Sequence, residues 1–186
     1  IRYVPLSNTF NAMIKRTMDV IGSSIAIIVS SPVMLILCIL IKLTSPGPLI
    51  YKQERVGLHN QTFRMYKFRS MEIQKESEEK KAWTVKNDPR VTGIGKFMRH
   101  TSLDELPQLF DVIEGTMSFV GTRPEAVKYV RSYTPEMMAT LLLPAGITSE
   151  TSIKYKDEAD LLNGSGDIDS TYIEIVLPQK MAINLK

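Results

Sequence analysis

Cysteine is nearly absent from this chain of 186 residues: Cys38 stands alone, which excludes an internal disulfide and a cysteine-rich metal site. Histidine is almost as scarce. His59 and His100 are too few for a multi-histidine zinc site, so any metal must be held by carboxylate and phosphate oxygens, the ligands of magnesium or manganese. Strong net charge is missing as well. A balance of +3 with a pI near 8.9 falls short of a dedicated nucleic-acid binder and suits anionic lipid or a phosphorylated substrate. Internal repeats and low-complexity tracts are also lacking. What is present is 44% hydrophobic residues, enough for one domain with a real core. The chain opens at Ile1 and stops mid-pattern at Lys186, as a fragment cut at one or both ends would.

Charge vanishes altogether from Val20 to Ile41. A helix of that length could span about 30 Å of hydrocarbon. Its middle carries Ser30-Ser31-Pro32, where proline removes a backbone donor and frees the carbonyl of Ile28. Lys15 and Arg16 precede the segment and Lys42, Lys52 and Arg55 follow it, so the positive-inside rule selects no direction. Two topologies stand at this level: a straight transmembrane helix with a tolerated proline, and a re-entrant helix-break-helix with both ends on the cytoplasmic side.

Beyond the breaker cluster Thr44-Ser45-Pro46-Gly47-Pro48, residues 49–56 and 62–69 predict a β-hairpin around Gly57-Leu58-His59-Asn60. Residues 72–86 are mostly charged around Trp83 and predict a solvated helix or loop. Leu106, Leu109, Phe110, Val112 and Ile113 form an apolar helical face ending at Gly115, and Met117 to Val120 is a short strand. A helix is predicted over 132–143, and another over 172–185 interrupted at Pro178.

Two adjacent carboxylates, Asp104 and Glu105, lie beside a predicted helix start with basic residues close by. Such a pair can supply a nucleophile and a metal ligand or proton acceptor. The same spacing, Ser102 followed three residues later by Glu105, is that of a capping box, and spacing alone favours that reading. Pro107 argues for a helix that begins nearer Asp104.

Taken in order, the broken apolar helix, Tyr66-Lys67-Phe68-Arg69-Ser70-Met71, Asp88-Pro89-Arg90-Val91-Thr92, Thr101-Ser102-Leu103-Asp104-Glu105-Leu106-Pro107-Gln108, Met117-Ser118-Phe119-Val120-Gly121 and Arg123-Pro124 closely resemble the monotopic phosphoglycosyl transferases, a class of bacterial sugar transferase. The match covers roughly residues 13–150. The resemblance implies a helix-dominated α+β fold: an N-terminal re-entrant membrane helix broken at Ser31 and Pro32, a short β-hairpin and interfacial amphipathic helices. Residues 1–45 would be the lead-in and membrane helix, and 46–186 a catalytic domain on the cytoplasmic face of the bacterial inner membrane.

The implied activity is transfer of a sugar-1-phosphate from a UDP-sugar to polyprenol (undecaprenyl) phosphate. Asp104 matches the nucleophile that forms a covalent phospho-sugar intermediate and releases UMP. Glu105 matches the partner carboxylate, expected with Asp104 to hold Mg2+ (or Mn2+), or to accept the acceptor's proton. Arg99, Arg123, Lys67 and Arg69 are the candidate phosphate-binding cations. Implied partners are the donor, the acceptor and membrane lipid; a homodimer is compatible and nucleic acid is not expected. A membrane-anchored binding module without catalysis is the alternative. Thr122 stands where many members carry proline, which predicts a looser loop around Arg123, and Pro144-Ala145-Gly146-Ile147-Thr148 departs from the commoner Arg-Pro-Gly-Ile-Thr pattern. No motif identifies the sugar, the pathway or a role for residues 150–186.

Overall fold

The computed structural model describes residues 9–73, 88–156 and 167–185 and is helix-dominated α+β with two small two-stranded sheets. The lead-in before Thr9, most of the charged stretch with Trp83 and the loop at 163–166 lie outside the described residues.

Helix α1 (Thr9–Thr44) is 36 residues long, about 54 Å at 1.5 Å per residue. Helical backbone continues through Pro32, so the break expected at Ser31 and Pro32 does not interrupt the helix. Proline has no N–H for the Ile28 carbonyl, and the Ser31 hydroxyl donates to that oxygen at 2.8 Å in its place. Ser30 donates to the Ala26 carbonyl at 2.6 Å. Serine hydroxyls thus cover the backbone acceptors where an apolar helix can least leave them bare.

Both halves of α1 dock on the same globular body. In the first half the buried Asp19 accepts from Ser118 Oγ at 2.8 Å and from Lys15 Nζ at 3.0 Å, while Arg16 donates to the carbonyls of Val112 and Ile113. In the second half Leu37 and Ile41 pack with Phe68 and Met98. Between these anchors Ile25, Ile28, Val29 and Val33 are exposed, Ile28 by 72% and Val29 by 73%. Only 11% of the most apolar stretch of α1 is buried inside the protein. A core helix would be mostly covered; this one is exposed, and by length and composition it is apolar enough to cross a membrane.

The hairpin forms where alternating residues flank a turn: β1 (Ile50–Val56) pairs antiparallel with β2 (Thr62–Phe68), with Tyr51 opposite Lys67 and Arg55 opposite Phe63. His59 and Asn60 turn the chain in left-handed conformation. Asp111 closes the open side of β2, accepting from the Tyr66 N–H at 3.0 Å. Helix α2 (Gly93–Thr101) starts at Thr92, whose hydroxyl accepts from Gly95 N. A Cβ at Gly95 would stand 2.0 Å from the Ser70 carbonyl oxygen, so glycine here permits close packing.

Residues 103–105 make a single 3-10 turn, and α3 (Gln108–Glu114) begins only after Pro107. Gly115, at φ 94°, ends it in left-handed conformation. Strand β3 (Met117–Val120) pairs in parallel with β4 (Ala145–Thr148), joined through α4 (Val127–Val130) and a 3-10 helix (Met137–Leu142) where a longer helix is predicted from sequence. The short helix α5 (Glu150–Lys154) follows. The last segment is α6 (Ile168–Thr171), a π turn (Tyr172–Val176) and α7 (Leu177–Asn184), which places Pro178 in the first turn of α7 where no donor is needed. Tyr172, Val176, Leu177 and Met181 bury against Tyr129 and bring this segment onto the body.

The backbone is also tightly packed beside the β3–β4 pair. A Cβ at Gly146 would lie 2.1 Å from Gly121 N, with no flexible side chain to yield. Gly146→Ala is therefore expected to cost about 3 kcal/mol or more, read as a lowered unfolding midpoint of the detergent-solubilised protein. An unchanged midpoint would refute the packing described.

Candidate active site

A cavity of about 1210 Å³ opens beside the 103–105 turn. Asp104 is buried at its wall. Ser102 ends α2 with φ 58°, and its side chain makes no cap hydrogen bond. The capping-box geometry is therefore not formed, and Glu105 turns instead to two cations.

Lys67 Nζ donates to Glu105 Oε1 at 2.8 Å, and Arg123 donates to both carboxylate oxygens. Burial by itself would raise the Glu105 carboxyl; hydrogen bonds and charge from Arg123 and Lys67 outweigh it and hold the group down at about 2. Asp104 has the opposite balance. Burial raises it above an ordinary aspartate, and the neighbouring Glu105 charge adds to that, while Lys67 and Arg99 pull the other way. Two adjacent carboxylates are thereby set apart: one committed to cations, the other held at the cavity with, among the described residues, no neutralising side chain directly bonded to it.

Local folding explains each position. Lys67 comes from β2, Arg123 from the loop after β3, and Arg99 from the last turn of α2, where its Nε donates to Ser70 Oγ at 2.8 Å. Burial lowers the Arg99 guanidinium, and Asp104 offsets part of that. The Thr122 carbonyl accepts from Gly146 N at 3.0 Å, which ties the Arg123 loop to β4 despite the absent proline. Arg69 lines the same cavity, but its NH1 and NH2 donate to Pro46 O and to the Ser45 carbonyl and hydroxyl at 2.6–2.8 Å. These bonds fasten the exit of α1 to the end of β2.

A second set of buried groups escaped sequence reasoning. Lys180 Nζ and Tyr172 OH each donate to Glu125 Oε1 at 2.7 Å, and all three side chains are buried. Thr151, Ser152, Tyr155 and Asn184 complete the far wall of the cavity. Glu125 and Lys180 are 55 positions apart, and no local pattern joins them. Alternation could have found Arg55: Tyr51, Gln53 and Arg55 are every second residue of β1 and all line the cavity.

A long, exposed apolar helix is thus set against a polar cavity lined by buried carboxylates and cations. The chain belongs to the bacterial sugar transferase family, whose pattern it matches over residues 10–181. It is 42% identical over 159 residues to the UDP-glucose:undecaprenyl-phosphate glucose-1-phosphate transferase of Klebsiella pneumoniae, covering 83% of this chain and 34% of that protein. Similarity extends to the UDP-N-acetylgalactosamine-undecaprenyl-phosphate N-acetylgalactosaminephosphotransferase of Aeromonas hydrophila, at 45% over 158 residues, 83% of this chain and 37% of that one. The undecaprenyl-phosphate galactose phosphotransferase of Salmonella typhimurium is 38% identical over 170 residues, 83% of this chain and 35% of the relative. The chain thus spans about a third of the length of these curated relatives. Their names carry three different sugars at similar identity, so overall likeness does not select the sugar.

Because the Glu105 carboxyl is lowered from 4.5 to about 2, its grip contributes stability that is whole above pH 4.5 and is lost as pH falls towards 2. Glu105→Gln is expected to lose that dependence, on the order of 3 kcal/mol between the two limits. Unfolding midpoints measured from pH 5 to pH 2 test it; equal acid sensitivity in both proteins would sink the assignment.

Proposed function

We propose that this chain transfers a sugar-1-phosphate from a UDP-sugar to undecaprenyl phosphate at the cytoplasmic face of the bacterial inner membrane. The observation that carries the reading is Asp104, buried at the wall of a cation-lined cavity with Glu105 drawn away from it by Lys67 and Arg123. Family membership and the names of the relatives support the substrate classes.

Asp104 attacks the β-phosphorus of the donor. The bond to the α–β bridging oxygen breaks, and that oxygen leaves with its electron pair as part of UMP. Undecaprenyl phosphate then attacks the same phosphorus, the aspartyl oxygen leaves, and the carboxylate is restored. Lys67, Arg99 and Arg123 line the cavity where non-bridging oxygens would gather negative charge. Glu105, held at about 2, is a poor base at neutral pH, which favours a role in holding Lys67 and Arg123 over accepting a proton.

Among the described residues no three His, Cys, Asp or Glu side chains converge on a point. Asp104 and Glu105 therefore suit a magnesium ion shared with substrate phosphates and water, not one caged by protein ligands alone. Bound there, the ion would neutralise charge on the phosphate oxygens.

The anchoring of both halves of α1 on one body supports a re-entrant membrane segment, since a spanning helix would separate its ends across the bilayer. An acceptor with a lipid tail and a soluble donor could then meet at the interface.

Asp104→Asn is expected to abolish both UMP release across a UDP-sugar panel and the trapped phospho-sugar adduct; turnover by this variant would remove Asp104 from the mechanism. Excess chelator in the same assay is expected to stop turnover, and full activity there would exclude the ion. Cysteine labelling from the two sides of sealed vesicles should find residues 10 and 45 on the same face. Opposite faces would rule out re-entry.

A further inference from the structure

Arg55 is placed unlike the other cations of the cavity. Lys67 and Arg123 close on Glu105, Arg69 closes on Ser45 and Pro46, and Arg99 donates to Ser70. The nearest carboxylate to Arg55, Glu125, is already engaged by Lys180 and Tyr172 at 2.7 Å. Among the described residues no carboxylate comes within ion-pair distance of Arg55. Its NH1 meets only the Pro124 carbonyl, at 3.4 Å, and its Nε, like that of Arg69, is buried with no hydrogen-bond partner. A guanidinium that lines the cavity without a carboxylate partner carries charge that a bound anion would neutralise.

Direction follows from the hairpin register. Tyr51 lies opposite Lys67, and Arg55 is four residues further along the same strand and lines the same cavity. That displacement is roughly 13 Å along the strand, away from the level of Lys67. Arg123 links the two ends: it bonds Glu105, and its charge bears on Arg55. Burial depresses the Arg55 guanidinium, Glu125 offsets part of this, and the Arg123 charge depresses it again.

We propose that Arg55 binds the α-phosphate of the nucleotide-diphosphate donor and neutralises the charge that collects there when UMP leaves. The inference rests on the transferase reading. In this reading the phosphorus under attack sits at Asp104, and the adjoining α-phosphate lies on the Arg55 side of the cavity, within reach of that long side chain. As the α–β bridging oxygen takes the electron pair of the broken bond, the α-phosphate gains negative charge, and a planar guanidinium can meet two of its oxygens at once.

Two-step kinetics isolate this role. The kcat/KM for the UDP-sugar covers every event through UMP release, whereas kcat/KM for undecaprenyl phosphate begins with the phospho-sugar enzyme, after UMP has gone. With the full chain in detergent, Arg55→Gln is expected to lower the donor kcat/KM and weaken product inhibition by UMP by roughly tenfold or more, the size of a lost charged hydrogen bond. The acceptor kcat/KM should stay within about twofold. Arg55→Lys keeps the charge and loses the fork, so it should weaken UMP inhibition by about threefold or more; this variant carries the test if Arg55→Gln does not fold. An equal fall for both substrates, or unchanged UMP inhibition in the folded variant, would overturn the assignment. Absence of UMP release by the unmutated chain would instead overturn the transferase reading beneath it.

Discussion

The grip of Glu105 on Lys67 and Arg123 is the interaction on which the rest of the site depends. It joins three segments, β2, the 103–105 turn and the loop after β3, that are far apart in the chain. Two cations brought this close would repel if no carboxylate lay between them. With Glu105 in place they stand at the cavity wall, and Asp104 is carried by the same short turn to a buried position beside them. Desolvation keeps the second carboxylate from becoming another counter-ion. The division of labour between adjacent acids is therefore a matter of environment and not of residue type.

The apolar helix and the polar site are fastened to one another at several points. Arg69 spans from β2 to the residues that end α1, and Asp19 and Arg16 pin the other half of the helix to β3 and α3. A buried carboxylate within an apolar helix is costly unless partnered, and Ser118 and Lys15 supply partners. Movement of the helix relative to the cavity would therefore break charged and polar bonds at both ends.

The far wall has its own electrostatic order. Lys180 and Tyr172 satisfy Glu125 in a buried cluster, and α6, the π turn and α7 present it to the cavity. Arg55 lies between this cluster and the Glu105 pair.

The sequence alone was enough for the long apolar helix, the hairpin, the helix ending at Gly115 and the acidic pair, because each is written in neighbouring residues: an uncharged run, alternation about a turn, a left-handed glycine, two acids in succession. The same locality misled where tertiary contacts outweigh propensity. Ser102 and Glu105 have capping-box spacing, yet the bonds available from Lys67 and Arg123 take the glutamate away from the backbone. Residues 132–136 read as helix, and the chain makes turns before a 3-10 segment instead. What only the tertiary structure decided is which charges meet: that Arg69 serves the helix exit, that Lys180 reaches Glu125 across 55 positions, and that Arg55 keeps an unmatched donor. The energy of a buried charge depends on the partners that folding brings within a few ångströms, and sequence spacing carries no measure of that distance.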